Sequence, residues 1–351
     1  MKMNVNTNAK TNMKMKRKKI LIFHTGGTIG MIEGGVKALT PSTLGTHFLR
    51  LVPELSQLAR VSVKVLDNID SSNVSPEHWI KWFTNLKEVY HDFDGFVFTH
   101  GTDTMAYTAS ALSFALRKVS KPVVFTGSQR PLLNIRTDAR DNLINAVEMA
   151  INGPVEVSLC FGNKLLRANR AIKFSSTDYV AFESFNFPAL ANLGVGIDAN
   201  WKGFSNFSKV KTGAPLWKLS FNKSVFCFKL FPGISTEILR VAVNSPSSSG
   251  IVLEAYGSGN MPVISDSVLS AVELATNLGK PVVVVSQCPH GHVDLSLYES
   301  GVRAQKLGAI SAGDMTSEAT IVKLMHALSL NVSYARKVSF FKENVAGERS
   351  F

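Results

Sequence analysis

Gly95-Phe96-Val97-Phe98-Thr99-His100-Gly101-Thr102-Asp103-Thr104-Met105-Ala106-Tyr107-Thr108 is the stretch from which the rest of the chain can be read. A short apolar run meets a turn containing Gly101, and an Ala/Leu-rich pattern then continues to about Leu116. An apolar run without polar alternation predicts a strand covered on both faces, and the segment after it predicts a helix. The same order recurs on either side. Residues 19–23 enter Thr25-Gly26-Gly27-Thr28, and residues 61–66 enter Asp70-Ser71-Ser72. Ser75-Pro76 then opens a helix, with Ser as N-cap and Pro in the first turn. Residues 122–125 enter Thr126-Gly127-Ser128-Gln129, before a helix over about 138–151. Strands alternating with helices at this spacing predict an α/β fold with a parallel sheet and helices on both faces.

The pattern dissolves over 198–223, a stretch rich in Asn, Lys, Ser and Gly, and then restarts. Strands are expected at 225–230, 251–255 and 282–286, and helices near 236–243, 265–278, 297–307 and 317–330. The expected organisation is a basic tail over 1–18, a larger N-terminal catalytic α/β domain over 19–198 and a linker over 199–223. A smaller C-terminal α/β domain over 224–340 and a tail over 341–351 complete it.

With 351 residues, two domains of roughly 100–200 residues each are expected. The chain is 45% hydrophobic and 18% charged, which excludes disorder as its main state. No apolar run approaches the ~18 residues of a membrane span. The net charge of +12 suggests nucleic acid until it is located. Seven basic residues and no acid fall within 1–19, leaving 31 basic against 26 acidic residues in the body. The basicity is therefore mainly that of the tail, expected to be solvated rather than an RNA contact. The apolar run 20–23 is too short for a signal peptide, and the Lys/Asn/Met-rich tail lacks the arginines of a mitochondrial presequence. Cys160, Cys227 and Cys288 are far apart in apolar, strand-like contexts, which predicts reduced core thiols in a cytoplasmic protein.

In an open parallel sheet, ligands bind beyond the carboxyl ends of the strands. Three expected strands end in hydroxyls and carboxylates: Thr25 and Thr28, then Asp70, Ser71 and Ser72, then Thr102, Asp103 and Thr104. Any one such cluster is an ordinary turn or N-cap. Three on one rim describe a polar pocket for a small zwitterion or amide. Phosphate binding finds no support, because Thr25–Gly30 is not G-x-G-x-x-G and no G-x-x-x-x-G-K-[ST] is present. His290 and His292 lack a third ligand nearby in sequence, so no metal is expected. A serine triad would need a G-x-S-x-G elbow.

Thr25-Gly26-Gly27-Thr28-Ile29-Gly30 and His100-Gly101-Thr102-Asp103-Thr104-Met105-Ala106-Tyr107-Thr108 resemble the two signature motifs of bacterial-type L-asparaginases, closest to the cytoplasmic type I branch. Asp70-Ser71-Ser72, Thr126-Gly127-Ser128-Gln129, Phe231-Pro232-Gly233-Ile234-Ser235, Tyr256-Gly257-Ser258-Gly259-Asn260 and Gly313-Asp314-Met315-Thr316-Ser317-Glu318-Ala319-Thr320 extend the resemblance from about Lys18 to residue 340. It implies two α/β domains in homodimers or homotetramers, hydrolysis of L-asparagine to aspartate and ammonia, and no cofactor. By motif match, Thr25 would be the nucleophile. Thr102, Asp103 and Lys173, in Arg170-Ala171-Ile172-Lys173, would form the proton relay. Asp70, Ser71 and Ser72 would hold the substrate's ammonium and carboxylate, with Thr102 and Asp103 helping. Sequence alone would read Lys173 as a surface lysine; only the resemblance raises it.

Two departures stand out. Many relatives carry a tyrosine in the segment after the first motif, and residues 31–42 contain none, so Glu33, Thr40 or water is expected to replace it. Some type I relatives bind a second asparagine through an arginine where this chain has Glu254, which would repel a carboxylate unless Arg240 or Arg303 supplies the charge. Two alternatives accompany asparagine hydrolysis. One is a related amidohydrolase, either a glutaminase or the ammonia-releasing subunit of a tRNA-dependent amidotransferase, which would normally bring a further N-terminal domain. The other is a catalytically silent amino-acid-binding protein, whose mark would be loss of Thr25, Thr102, Asp103 or Lys173; all four are present.

Overall fold

β1 (Lys19–Gly26) is apolar on both faces and wholly covered beyond its first residue, as its sequence requires of a central strand. It lies in a computed structural model that describes residues 17–31, 48–203, 214–264 and 268–350. The expected tail up to residue 16, and Glu33 and Thr40, lie outside the described residues. β1 pairs in parallel with β2 (Arg60–Ile69) on one side and β3 (Gly95–Thr99) on the other. β5 (Val123–Thr126) and β6 (Val157–Phe161) continue the parallel ladder, after a two-residue β4 (Leu116–Arg117) outside it. β7 (Lys164–Arg167), β10 (Ala191–Leu193) and β11 (Ile197–Ala199) extend the sheet antiparallel. Between them in sequence, β8 (Ile172–Lys173) and β9 (Phe182–Glu183) pair as a separate short ribbon. The sheet order is β11-β10-β7-β6-β5-β3-β1-β2. Strand order therefore reverses at β1, which opens a crevice at the carboxyl ends of β1 and β3.

α1 (Glu54–Leu58) and α4 (Ala139–Asn152) cover one face of this sheet, and α2 (Pro76–Val89) and α3 (Met105–Ala115) the other. In α2 the cap is reciprocal: Ser75 receives the backbone N–H of His78, and the His78 ring receives that of Ser75. Every residue of α3 but Tyr107 is buried. Its sequence, MAYTASALSFA, has no polar face, so it must be enclosed from both sides. The second side is supplied by the C-terminal half, where β13 (Val225–Lys229), β14 (Gly250–Ala255), β15 (Val282–Ser286) and β16 (Ile310–Ser311) form a parallel sheet. Before it, β12 (Leu216–Trp217) pairs with β4. α5 (Thr236–Asn244), α6 (Val268–Asn277) and α7 (Glu299–Lys306) accompany this sheet, followed by α8 (Ser317–Ser329) and α9 (Tyr334–Lys342). α8 packs on α3, and one hydrophobic core runs through both, from Phe98 and Leu112 to Val283 and Val322.

Four findings differ from the sequence expectations. The hairpin β6–β7 and strands β10 and β11 are short and flanked by polar residues, so they carry no clear periodicity. Within the expected linker, residues 204–213 lie outside the described residues, but Trp217 packs edge-on against Tyr90 at 5.3 Å. Cys160 is buried as expected, whereas Cys227 and Cys288 are exposed. Cys227 sits on β13, an edge strand covered on one side only, and Cys288 follows the end of β15. Finally, α9 crosses the expected boundary at 340, and Glu348 beyond it is fully buried.

Candidate active site

Backbone contact between glycines brings the first two hydroxyl-rich loops onto the third. Gly26 and Gly27 have φ of +116° and +84°, conformations that side chains disfavour. A Cβ on Gly26 would stand 2.2 Å from Ile69 O, and one on Gly27 would stand 2.4 Å from Gly101 N. Gly101 in turn lies against Ser71, whose Oγ would be 2.6 Å from a Cβ there. Thr25, Ser71 and Thr102 thus line a single rim at the β1/β3 crevice. Thr104 ties the rim together by donating from Oγ1 to Ser71 O at 2.7 Å.

Thr25 is buried, and its hydroxyl donates to Thr99 O at 3.0 Å. Beside it, His24 Nδ1 meets Thr99 Oγ1 at 2.7 Å. Burial lowers the His24 pKa to about 4, against a bond to Asn68 that raises it, so the ring is neutral at pH 7. His100, at the end of β3, is likewise lowered to about 4 by burial, and bonds Gly101 O and Thr108 Oγ1. Both histidines support the rim from inside the fold.

Lys173 Nζ donates to Thr102 Oγ1 at 2.8 Å and to Asp103 Oδ1 at 2.6 Å. The three residues expected to form a relay are therefore in direct contact, although Lys173 comes from β8, about seventy positions further along the chain. Its side chain is 19% exposed while that of Asp103 is 63% exposed. One member is held in the fold and the other faces solvent, where Asp103 keeps lone pairs for a cationic group. Since Thr102 accepts from Lys173, its own proton is free to point elsewhere. It is directed at Gln129 Oε1, 3.5 Å away.

Gln129 has no role in the sequence reading beyond its place in a matched motif. Its amide is fixed by donation to Asp178 O at 3.1 Å, and its backbone N–H by the Asp138 carboxylate at 2.9 Å. The available signal was its position at the end of β5, the strand beside β3.

Asp70, Ser71 and Ser72 do not present three equivalent groups. Asp70 caps a short 3-10 turn, with its Oδ1 accepting from Ser72 N at 2.8 Å and Ser72 Oγ at 2.7 Å. Those two bonds hold its carboxyl below the usual range, the backbone one most. Asp70 and Ser72 are exposed, whereas Ser71 is buried against Gly101. Thr25 and Thr102 share the rim, but the Thr25 hydroxyl bonds Thr99 rather than a relay member. Among the described residues no group of three His, Cys, Asp or Glu side chains could hold a metal, and no helix is long and apolar enough to cross a membrane.

Comparison with known proteins agrees with this layout. Residues 19–204 match the family model "Asparaginase, N-terminal", and residues 224–341 match "Glutaminase/Asparaginase C-terminal domain". The chain is similar to L-asparaginase from Thermococcus kodakarensis, at 36% identity over 94% of this chain and 98% of that protein. It is also similar to L-asparaginase 1 from Escherichia coli K12, at 35% identity over 95% and 98%. The crystal structure of L-asparaginase I from Vibrio cholerae superposes with a TM-score of 0.87, at 35% identity, over 95% of this chain and all of that one. With both halves matched and the two threonine-bearing loops on one rim, the chain belongs to the asparaginase/glutaminase family.

Proposed function

We propose that this protein is an L-asparaginase, an amidohydrolase that converts L-asparagine to L-aspartate and ammonia. The observation that carries the reading is the contact of Lys173 with both Thr102 and Asp103 on the rim that also holds Thr25. Thr25 Oγ1 attacks the side-chain amide carbon as its proton, directed in the structure at Thr99 O, passes to the relay. Thr102, Lys173 and Asp103 carry that proton toward the leaving nitrogen, which departs as ammonia. Water then cleaves the acyl-threonine, releasing aspartate and restoring the hydroxyl. Negative charge on the tetrahedral oxygen is met by the backbone N–H of Thr28 and by the start of α3, the Gly27 N–H being given to Ile69 O.

Asp70 and Asp103 take the α-ammonium, while Ser71 and Ser72 donate to the α-carboxylate. A pocket that fixes the amino-acid end leaves little tolerance in the position of the amide carbon. The extra methylene of glutamine would displace it, so asparagine is the preferred amide. The reading places the protein in the cytoplasm, where exposed Cys227 and Cys288 would stay reduced. It also places it in a homodimer or homotetramer. Phe231, Ile238 and Val241 support self-association, being 55%, 63% and 61% exposed on and beside α5.

The test is ammonia release from asparagine and from glutamine across a concentration series. Release from asparagine with clearly higher kcat/KM supports the proposal. Comparable kcat/KM for the two amides would remove the specificity claim, and release from neither would remove the reaction.

A further inference from the structure

Beyond α9 the chain folds back over the seam between the two halves. Glu348 is buried against Lys323, and both side chains are fully covered. Its carboxylate also accepts from Val345 N at 3.0 Å and Ala346 N at 2.7 Å. Lys323 Nζ donates further to Glu343 O at 2.5 Å, so the segment is pinned to α8. A solvated tail would not bury a carboxylate without such partners.

The other side of this segment is gripped by the turn that leads into β8. Asn169 Nδ2 donates to Ala346 O at 3.1 Å. Arg170 Nε donates to Gly347 O at 2.8 Å, and its Nη2 to Ser350 Oγ at 3.2 Å. Arg167 packs so closely on Gly347, at φ +83°, that a Cβ there would stand 2.6 Å from its Nη1. Arg170 Nη1 reaches Asp314 Oδ2 at 2.9 Å, and Asp314 Oδ1 accepts Ser350 N at 2.9 Å, closing a ring in which Arg170 and Asp314 are buried and Ser350 is exposed. Three residues after Arg170 comes Lys173. Its own strand, β8, is two residues long and pairs with two-residue β9, a ribbon continued by the bond from Phe174 N to Ala181 O. Such a short ribbon gives little rigidity by itself.

We infer that residues 344–350 form a strap that positions Lys173, with Arg170 as the positioning residue through which it acts. The inference rests on the proposed hydrolysis for its kinetic readout only. Arg170 is enclosed, and removing its partners leaves a buried guanidinium that must move or draw in water. Movement there propagates along three residues to the ammonium that bonds Thr102 and Asp103. Such a displacement is costly to a proton relay and milder for substrate capture, which shares Asp103 with the relay and otherwise rests on Asp70, Ser71 and Ser72.

The test uses Arg170→Lys, Ser350→Ala and a chain ending after Glu343. Arg170→Lys keeps the charge but loses the fork, and Ser350→Ala removes one bond, so a folded variant is available if the shortened chain fails to fold. Two quantities are read: kcat and KM for ammonia release from asparagine, and the rate of acetylation of Lys173 relative to Lys121 by peptide mass spectrometry. Lys121 is a suitable reference because it is tied to Tyr90 O and Phe93 O, away from the strap. In Arg170→Lys, kcat is expected to fall about tenfold or more, with KM within about threefold, and Lys173 labelling to rise at least about threefold. Ser350→Ala is expected to move both the same way by less. A lowered melting temperature with native kcat and native Lys173 labelling would overturn the inference and leave the segment a structural brace. If the native chain releases no ammonia from asparagine, the hydrolysis reading fails, and the labelling ratio alone decides the strap.

Discussion

The two parallel sheets of this protein present rims of opposite character. Beyond β1 and β3, the N-terminal rim gathers hydroxyls around a lysine, next to the start of a helix. Beyond β14 and β15, the C-terminal rim opens into a cleft of about 270 Å³ lined by Lys229, Glu254, Cys288 and Glu318, with Tyr107 of α3 facing it. Burial pushes the Glu318 carboxyl up, and Glu254 adds to the rise. Burial also pushes the Tyr107 hydroxyl up, with Glu318, Cys227 and Glu254 adding to it. The C-terminal cleft thus gathers carboxylates, with Lys229 and Arg170 also in its lining, whereas the N-terminal rim gathers hydroxyls around Lys173. Similar architecture on both sides does not give similar chemistry; the side chains at the strand ends decide.

The largest expected effect separates these rims. Thr102→Ala should lower kcat for asparagine by at least about 10² in a folded protein, because it removes the hydroxyl that accepts from Lys173 on the rim that also holds Thr25. Glu254→Gln should leave kcat within about twofold, because its carboxylate bonds none of Thr25, Thr102, Asp103 or Lys173, although Arg170 also lines the cleft. A large loss in the second with none in the first would invert the comparison. In the same assays, the rate should depend hyperbolically on asparagine, since Glu254 would repel a second asparagine carboxylate. A sigmoidal curve that Glu254→Gln changes would show that the cleft binds an effector.

A smaller effect is expected in stability. His24, His100 and His326 are each lowered to about 4, chiefly by burial, from 6.5. The unfolded chain takes up their protons first as pH falls, so their contribution is full above pH 6.5 and is lost between there and about 4. The melting temperature should drop by at least about 5 °C between pH 7 and pH 5. Two of these histidines lie under the N-terminal rim, so hydrogen exchange in β1 and β3 should rise with it. A melting temperature flat over that range would show that the rings are not buried neutral.

The smallest effect is expected outside both rims. Deleting residues 1–16 should leave kcat/KM within about twofold and the melting temperature within about 2 °C. Arg17 and Lys18 are retained because they bond Ser56 O and Ile151 O. A large loss of either quantity would show that the basic segment reaches one of the rims.

Much of this organisation is legible in the sequence because it rests on local signals. The buried strands β1, β3 and β5 are continuous apolar runs, and the start of α2 stands in Ser75-Pro76, although the His78 half of its cap does not. The rim residues follow from strand ends alone. What sequence cannot show is set by distant partners. Lys173 resembles any surface lysine until the β7–β8 turn folds it back to Asp103. Glu348 reads as solvated until Lys323 of α8 is brought beneath it. Cys227 looks like a core thiol in an apolar strand, and only its edge position in the sheet exposes it.

Every role proposed for the N-terminal rim depends on Thr25 attacking the amide. The most direct measurement is ammonia release from L-asparagine by the native protein and by Thr25→Ala, with folding of both verified by circular dichroism. Attack by Thr25 requires release by the native protein and a loss of at least about 10² in kcat for the variant. Near-native turnover by a folded Thr25→Ala protein would contradict it.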